Sequence, residues 1–502
     1  MKEMASGAAI GFIFTVIGYG IMLGFKTVAA RYFGPEDFGM FTLSNTILGV
    51  LSTVAMFGLS GGISRFEPFY DEQGLHEKRT GYLLFVFSIP IVVSLILGVV
   101  TFIWSDWLAG LFAFPSLFGT LLEIIGFALP LQVFVKLAGS LLVAKKKILL
   151  DSLGYSIVEH GTLFAGVLLI IFFDLSVWHL VLLIAVSLLF HALFDVLVYV
   201  FGGVNLDLAP RTDFEVDEWV SFSLPLFFNG VFGFVISWAD ELVLGSLTSA
   251  STVGVYSIAF SIGSIVSIVE GSFASIFTPI VSKKLAQGDE QAISSLFRQS
   301  AAWIFGLSFP IFLIIAAFGG EVLSLFFGEG FQAGYIPLFI IGGGVLVQAW
   351  TGLSQNILSV YKDTNYVFWV RAGTATYNVV ANFLLIPRYG MVGAAVASGS
   401  ALAFENIAFY LKASHHVDLS FDLMYNVKFI AAGIPAALLA AFIMRSGLHV
   451  YAALPLAGVA YGLVYLLLLF ALRTFTEADA ALLREVEDQL GFKIPYIHRF
   501  LP

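Results

Sequence analysis

Apolar runs of about twenty residues, each long enough as a helix to cross roughly 30 Å of hydrocarbon, recur along the whole of this 502-residue chain. Hydrophobic residues make up 59% of it and charged residues 12%, about half the charged share of a soluble domain. In lipid such a chain satisfies its backbone only as helices or as a closed barrel. The ten-residue alternation of apolar and polar residues that marks barrel strands is missing. The sequence therefore predicts an all-α polytopic membrane protein.

Fourteen spans are expected, at 7–30, 38–63, 81–104, 119–143, 150–173, 177–201, 219–245, 253–280, 299–319, 334–360, 365–386, 390–411, 427–446 and 450–472. A repeat organises them. Phe38-Gly39-Met40-Phe41-Thr42-Leu43 returns as Val253-Gly254-Val255-Tyr256-Ser257-Ile258, 215 residues on, and Lys26 then falls on Glu241. Gln73-Gly74 returns as Gln287-Gly288 at an offset of 214. The repeat predicts an N-lobe at 1–204, an acidic linker at 205–218, a C-lobe at 219–413 and an unrepeated pair of spans at 427–472. Thr476-Glu477-Ala478-Asp479 then reads as a capping box opening an amphipathic helix in a cytoplasmic tail at 473–502. With that span count, eighteen loop or tail Lys and Arg fall on one side and only Arg31, Arg388 and Arg445 on the other. By the positive-inside rule both termini are expected in the cytoplasm of a multi-pass cell-membrane protein. Six spans separate the repeats, which makes the lobes parallel.

The absence of cysteine rules out disulfides and thiolate metal sites. Val28-Ala29-Ala30 has the small residues of a signal-peptidase site, but the preceding apolar run exceeds a signal h-region and is repeated later. It reads as a retained helix. The net charge of −10, with no basic stretch interleaved with aromatics, gives no support to nucleic-acid binding.

Several segments resemble the polysaccharide transporter branch of the multidrug/oligosaccharidyl-lipid/polysaccharide exporter (MOP) superfamily, the Wzx-type oligosaccharide flippases. Ala30-Arg31-Tyr32-Phe33-Gly34-Pro35-Glu36-Asp37-Phe38-Gly39 is similar to that family's first loop, with Phe33 in place of a leucine. Asp240, Leu244-Gly245 and Val253-Gly254-Val255-Tyr256 resemble its seventh-helix turn, and Pro387-Arg388-Tyr389-Gly390-Met391-Val392-Gly393-Ala394-Ala395 its entry to helix twelve. The resemblance covers about residues 7–412. It implies two six-helix lobes around a central cavity lined by helices one, two, seven and eight. The implied cargo is a glycan on a polyprenyl diphosphate, moved from the cytoplasmic to the outer leaflet by alternating access. The implied partners are that lipid-linked glycan, membrane lipids, and glycosyltransferases or a polymerase of the same pathway.

Charges inside the spans are the candidate functional residues, because each costs at least about 2.5–3.5 kcal/mol at the bilayer centre. Lys26 pairs in the repeat with Glu241, beside Asp240, at the outer end of its span. An outer gate and interfacial snorkelling are the two readings. Glu270, midway along span eight, Glu159 and Asp240 are candidates for coupling to an ion, H+ or Na+. Of Glu159 and His160, about 100° apart on a helix, one faces inward. His191 and Asp195 share a face at i, i+4, and mutual pairing is expected rather than metal binding. Arg371 suits a diphosphate, with Asn378 and Asn382 continuing its face and Glu405 as counter-charge. Lys136 either meets the same group or snorkels. Arg65 stands at the cytoplasmic mouth as a first contact for an anionic headgroup.

No nucleotide-binding, metalloprotease or serine-hydrolase motif is present; Gly20–Thr27 only grazes the P-loop pattern and lies within a helix. A transporter without a cofactor is expected, not an enzyme. A cation-coupled drug or metabolite exporter of the same superfamily is the alternative, against which the last two spans argue. A membrane glycosyltransferase needs a longer loop than any here.

Overall fold

The protein is all-α. The structure, a computed structural model, describes residues 2–112, 114–202, 204 and 208–474, with side chains inside the helices for all but 2–13, 15, 450 and 451. The expected amphipathic tail helix, and with it Arg484, Lys493 and Arg499, lies outside the described residues. Among these residues twelve helices are long and apolar enough to cross a membrane. The chain forms two compact units, Ser6–Ser257 and Ile258–Pro502, the second including the first five residues.

In the Ser6–Ser257 unit the first long helix, α1 (Lys2–Met56), is interrupted at Gly34, whose φ of 75° and ψ of 178° leave the helical region. Pro35 follows, suited to a helix start because its missing N–H has no partner there. The chain folds back at this point. The Phe25 and Phe41 ring centroids are 5.5 Å apart, whereas sixteen residues of straight helix would separate them by about 24 Å. Thus α1 is a hairpin, matching the expected spans one and two. The second arm breaks again at Phe57 and Gly58, both at positive φ, before α2 (Leu59–Glu72).

Helix α3 (His76–Ile103) shows how membrane burial inverts the soluble pattern. Val92, Leu95, Ile96, Val99 and Ile103 recur at helical spacing and are all exposed, as a lipid-facing stripe requires. The buried face carries Ser94, Gly98 and Thr101, residues small enough to let backbones approach. Gly98 meets α4 (Leu117–Ala144) at Gly126, where a Cβ on either glycine would fall within 2.6 Å of the other's carbonyl oxygen.

Helices α5 (Ile148–Phe172) and α6 (Val177–Phe201) follow. The part of α5 at Gly154–Glu159 is a π-helical turn. The acidic linker is docked rather than loose. Ala209 N donates to Thr80 Oγ1 (2.8 Å), and Asp213 N donates to the Glu77 carbonyl (3.1 Å). Lys78 pairs with Glu215, which also accepts from Tyr70 Oη at 2.9 Å. That Lys78 hydrogen bond holds the Glu215 carboxyl below the usual range, while burial pushes the Tyr70 phenol up to about 12. Helix α7 (Val216–Leu247) starts from this anchor, and Trp219 Nε1 donates to Tyr70 Oη at 3.0 Å.

Helix α8 (Ala250–Ala286) is interrupted by a 3-10 turn at Ser264–Ser267. The matched Gln-Gly positions end α2 and α8 in the same way. Gly74 and Gly288 adopt positive φ, and Leu75 N→Tyr70 O and Asp289 N→Lys284 O close the same Schellman loop.

In the Ile258–Pro502 unit, α9 (Glu290–Phe327) is capped by Asp289, which accepts from Ala292 N. After it come α10 (Tyr335–Thr351), α11 (Leu353–Val360), α12 (Thr364–Tyr389), α13 (Met391–Ala413), α14 (Leu423–Met444) and α15 (Val450–Ala471). Pro310 inside α9 has no N–H, so the Gly306 carbonyl four residues earlier lacks its helical donor. Tyr465 on α15 supplies one, Oη donating to Gly306 O at 2.7 Å. Phe305, Phe309, Phe429, Ala432 and Ala436 fill the contact around it. The unrepeated pair of helices is thereby fastened to α9.

Buried charge holds the first unit together where α2, α3 and α4 meet. Arg79, fully buried, binds Glu67 (3.0 Å) and Asp71 (2.9 Å), and Lys145 reaches Glu67 at 2.8 Å. Removing one partner of a buried pair costs about 3–5 kcal/mol, because the other charge is left uncompensated. Arg79→Ala should therefore lower the thermal midpoint of the purified protein markedly, whereas exposed Arg65→Ala should change it little. Parallel melting curves in detergent check this.

Candidate functional site

The repeated glycines touch. A Cβ built on Gly39 falls 1.8 Å from the Ala250 carbonyl oxygen, and one built on Gly254 falls 2.1 Å from the Pro35 carbonyl oxygen. Pro35 and Ala250 are also 215 positions apart, so the two contacts are images of each other. Across a two-fold relation residue i meets j and j meets i. All four residues lie in the Ser6–Ser257 unit, where the two copies of the motif meet backbone to backbone.

The charges matched by the repeat lie beside this seam. Glu241 and Asp240 are buried and Lys26 is half-buried. Lys26 and Glu241 are within electrostatic reach of each other. Thr46 Oγ1 donates to Glu241 Oε2 at 2.5 Å. Asp240 accepts from Tyr256 Oη and from the Glu241 backbone N–H. Both its carboxylate oxygens are thus engaged. The Asp240–Tyr256 contact occupies the repeat positions of the Phe25–Phe41 ring pair. One copy has two rings where the other has an acid and a phenol.

In the Ile258–Pro502 unit, Glu270 stands in the first turn after the 3-10 break of α8. Its carboxylate covers Gly352, at the junction of α10 and α11, where a Cβ would meet Oε1 at 2.1 Å. Gln348 Nε2 donates to it at 3.4 Å. Arg371 Nε donates to Glu405 Oε1 at 3.2 Å, with the arginine side chain 27% exposed and the glutamate 8%. Asn378 and Asn382 are fully buried. Asn378 Nδ2 donates to Ser398 on α13 (3.1 Å), and Asn382 Nδ2 donates to Asn378 (3.0 Å). The polar stripe therefore continues as packing between α12 and α13.

Arg65 is exposed, its guanidinium 4.3 Å from the centre of the Phe222 ring. Lys136 Nζ donates to Ser52 Oγ at 2.9 Å. His160 is buried, its Nδ1 3.2 Å from the Gly18 carbonyl oxygen. His191 pairs with Asp195, as the i, i+4 spacing predicts, and more closely with Glu159. Its Nδ1 is 2.7 Å from Glu159 Oε2, and its Nε2 is 3.7 Å from Asp195 Oδ2. Glu159 ends a π turn, where the roughly 100° per residue of a regular α-helix does not hold. Sequence reasoning missed this contact and the Glu67–Arg79–Lys145 cluster. Each depends on how successive helices pack side by side; only the coincidence of charges at the same ends of their spans hinted at the second.

A family model described as "Polysaccharide biosynthesis protein" matches residues 28–334, more than half of the chain. The chain belongs to that family. A Haloferax volcanii protein named "Probable low-salt glycan biosynthesis flippase Agl15" is 22% identical over 425 residues, covering 84% of this chain and 85% of that protein. "Probable flippase AglR" of the same organism is 23% identical over 174 residues, 34% of this chain and 36% of its own. Among solved structures, "Lipid II flippase MurJ, inward closed conformation" superposes with a TM-score of 0.69 at 14% identity, covering 91% of this chain and 97% of that one. An inward-facing multidrug resistance MATE family transporter of the MOP superfamily gives 0.57 at 14% identity, covering 80% and 94%. The polysaccharide biosynthesis family member thus shares its fold with these two solved structures.

The seam makes a direct prediction for this family member. Gly39→Ala or Gly254→Ala forces backbone apart, an overpacking cost of roughly 1–3 kcal/mol, and each 1.4 kcal/mol raises an opened population about tenfold. Ser44 is fully buried nearby and, as Ser44→Cys in a chain without cysteine, becomes a sole thiol reporter. Maleimide should label it slowly alone and faster when either glycine is replaced.

Proposed function

We propose that the protein is a flippase that moves an oligosaccharide linked to a polyprenyl diphosphate from the cytoplasmic to the outer leaflet by alternating access, for cell-surface polysaccharide or glycoprotein assembly. The observation that carries this is the family match, together with a relative named as a glycan biosynthesis flippase that aligns over most of both chains. The reading takes the membrane to be the cell membrane and the termini to be cytoplasmic. Fourteen crossings support both ends being on one side: α1 counts twice as a hairpin, and α12, 26 residues long though less apolar, joins the twelve. Two six-helix lobes and the added pair α14 and α15 make up that count. Glycosyltransferases or a polymerase of the same pathway are the expected partners.

In this reading Arg371 greets the diphosphate. Glu405 holds its guanidinium in place between loads, and the partial exposure of Arg371 leaves donors free for a second acceptor. Arg65 is an earlier contact for the anionic headgroup. Lys26 and Glu241 close the outer end beside the glycine seam. Glu270 is a coupling acid at a break in its helix.

The test is a liposome assay with purified protein and a fluorescent glycan on a polyprenyl diphosphate, read by an impermeant glycan-cleaving enzyme. Protein-dependent exposure of the glycan is expected, falling at least about tenfold in Arg371→Ala, since a charge-assisted contact is worth roughly 1.5–3 kcal/mol. No exposure with a well-folded protein sinks the reading. Lys26→Glu and Glu241→Lys should each impair transport, and the double exchange should recover it. A lack of rescue removes the pair from the gate.

A further inference from the structure

Two helices of the Ser6–Ser257 unit place one imidazole between two acids. His191, on α6, has Nδ1 2.7 Å from Glu159 Oε2 on the π turn of α5 and Nε2 3.7 Å from Asp195 Oδ2 on its own helix. The three side chains are 5%, 14% and 0% exposed in the same order. Both carboxylate oxygens of Asp195 lack a hydrogen-bond partner among the described residues, and so does His191 Nε2. Such a site has an unmet need: a buried carboxylate without a donor costs several kcal/mol if ionised.

No neighbour meets that need. Tyr199, one turn from Asp195, already donates its hydroxyl to the Ala138 carbonyl at 2.6 Å. Asp151 at the start of α5 adds a further negative charge within electrostatic reach of His191 and Asp195. Lys136, from α4, acts electrostatically on Glu159 and donates to Ser52. His160 is occupied at the Gly18 carbonyl. Three acids therefore face one lysine and two histidines. The ligand that a buried, acid-rich site takes most readily is a proton.

We propose that Glu159, His191 and Asp195 form a proton-binding relay. With His191 neutral and its Nδ1–H donated to Glu159, the Nε2 lone pair is free to accept. A proton bound to the Asp195 carboxylate gives a carboxylic acid whose O–H donates to that lone pair; its release returns the carboxylate. Forming this bond requires the present 3.7 Å separation to shorten by roughly 1 Å, to hydrogen-bond length. Glu159, the acid on the other side of the imidazole, sits on a π turn, a type of irregularity often found at functional sites. As a step in transport this rests on the flippase reading, but the site itself does not.

The test reads the proton rather than the cargo. Full-length protein in lipid nanodiscs is titrated while infrared difference spectra are recorded, in water and in deuterium oxide. A protonated-carboxyl band that appears on acidification, shifts with deuterium and is lost in Asp195→Asn is the expected result. His191→Gln, which changes the acceptor and keeps the acid, should move the band without abolishing it. A band identical to wild type in a folded Asp195→Asn overturns the proposal, as does one unmoved in folded His191→Gln. Displacement of the band by sodium at constant pH also overturns it, by making the site one for a metal cation. Failure of glycan flipping in liposomes leaves these spectra readable, so the two readings fail separately.

Discussion

The bilayer offers no water to a stranded polar group, and that scarcity shapes this molecule throughout. Fifteen prolines occur in the chain, and α9 shows how an interior one is tolerated. Pro310 deprives Gly306 of its helical donor, and a tyrosine from α15 replaces it. A second tyrosine on the same helix, Tyr461, donates to the Pro310 carbonyl at 3.3 Å. Packing around these bonds makes the interior proline of one helix the anchorage of another. The same economy explains why buried serines and threonines across the chain donate back to carbonyls three or four residues earlier, as Ser44 does to Met40 and Thr101 to Leu97.

Charge follows the same rule with higher stakes. Arg79 is wholly enclosed and held by two acids; Arg371, partly open, is held by one. The enclosed guanidinium joins helices, and the open one retains capacity for a further anion. Burial, more than position along a span, sets the two cations apart. Glu241 and Asp240 are adjacent and equally buried, yet Asp240 is committed to Tyr256 while Glu241 is shared among Thr46, Ser257 and Lys26.

Much of this was legible in the sequence, because hydropathy and duplication act over long stretches. The apolar runs gave the spans, and the offset of 215 put Lys26 opposite Glu241 before any coordinate. The counter-charge of Arg371 followed from two spans adjacent in the chain. What stayed hidden depended on departures from regular helix. The π turn at Gly154–Glu159 swings Glu159 onto a histidine 32 residues away, and the 3-10 turn at Ser264–Ser267 sets Glu270 at the start of a new helix. Neither irregularity has a proline or a glycine pair to announce it. The enclosure of Arg79 was equally unreadable, since a lysine or arginine beside a span looks the same whether it faces headgroups or a buried carboxylate.

The glycine seam has a consequence for how such a chain can evolve. Two halves related by a repeat are free to differ, and these differ far enough to set an acid and a phenol in one where the other has two rings. At Gly39 and Gly254 that freedom stops: a single methyl group in either half collides with the other half's main chain. The two positions are bound to a shared fate, an imprint of symmetry that sequence divergence elsewhere leaves untouched.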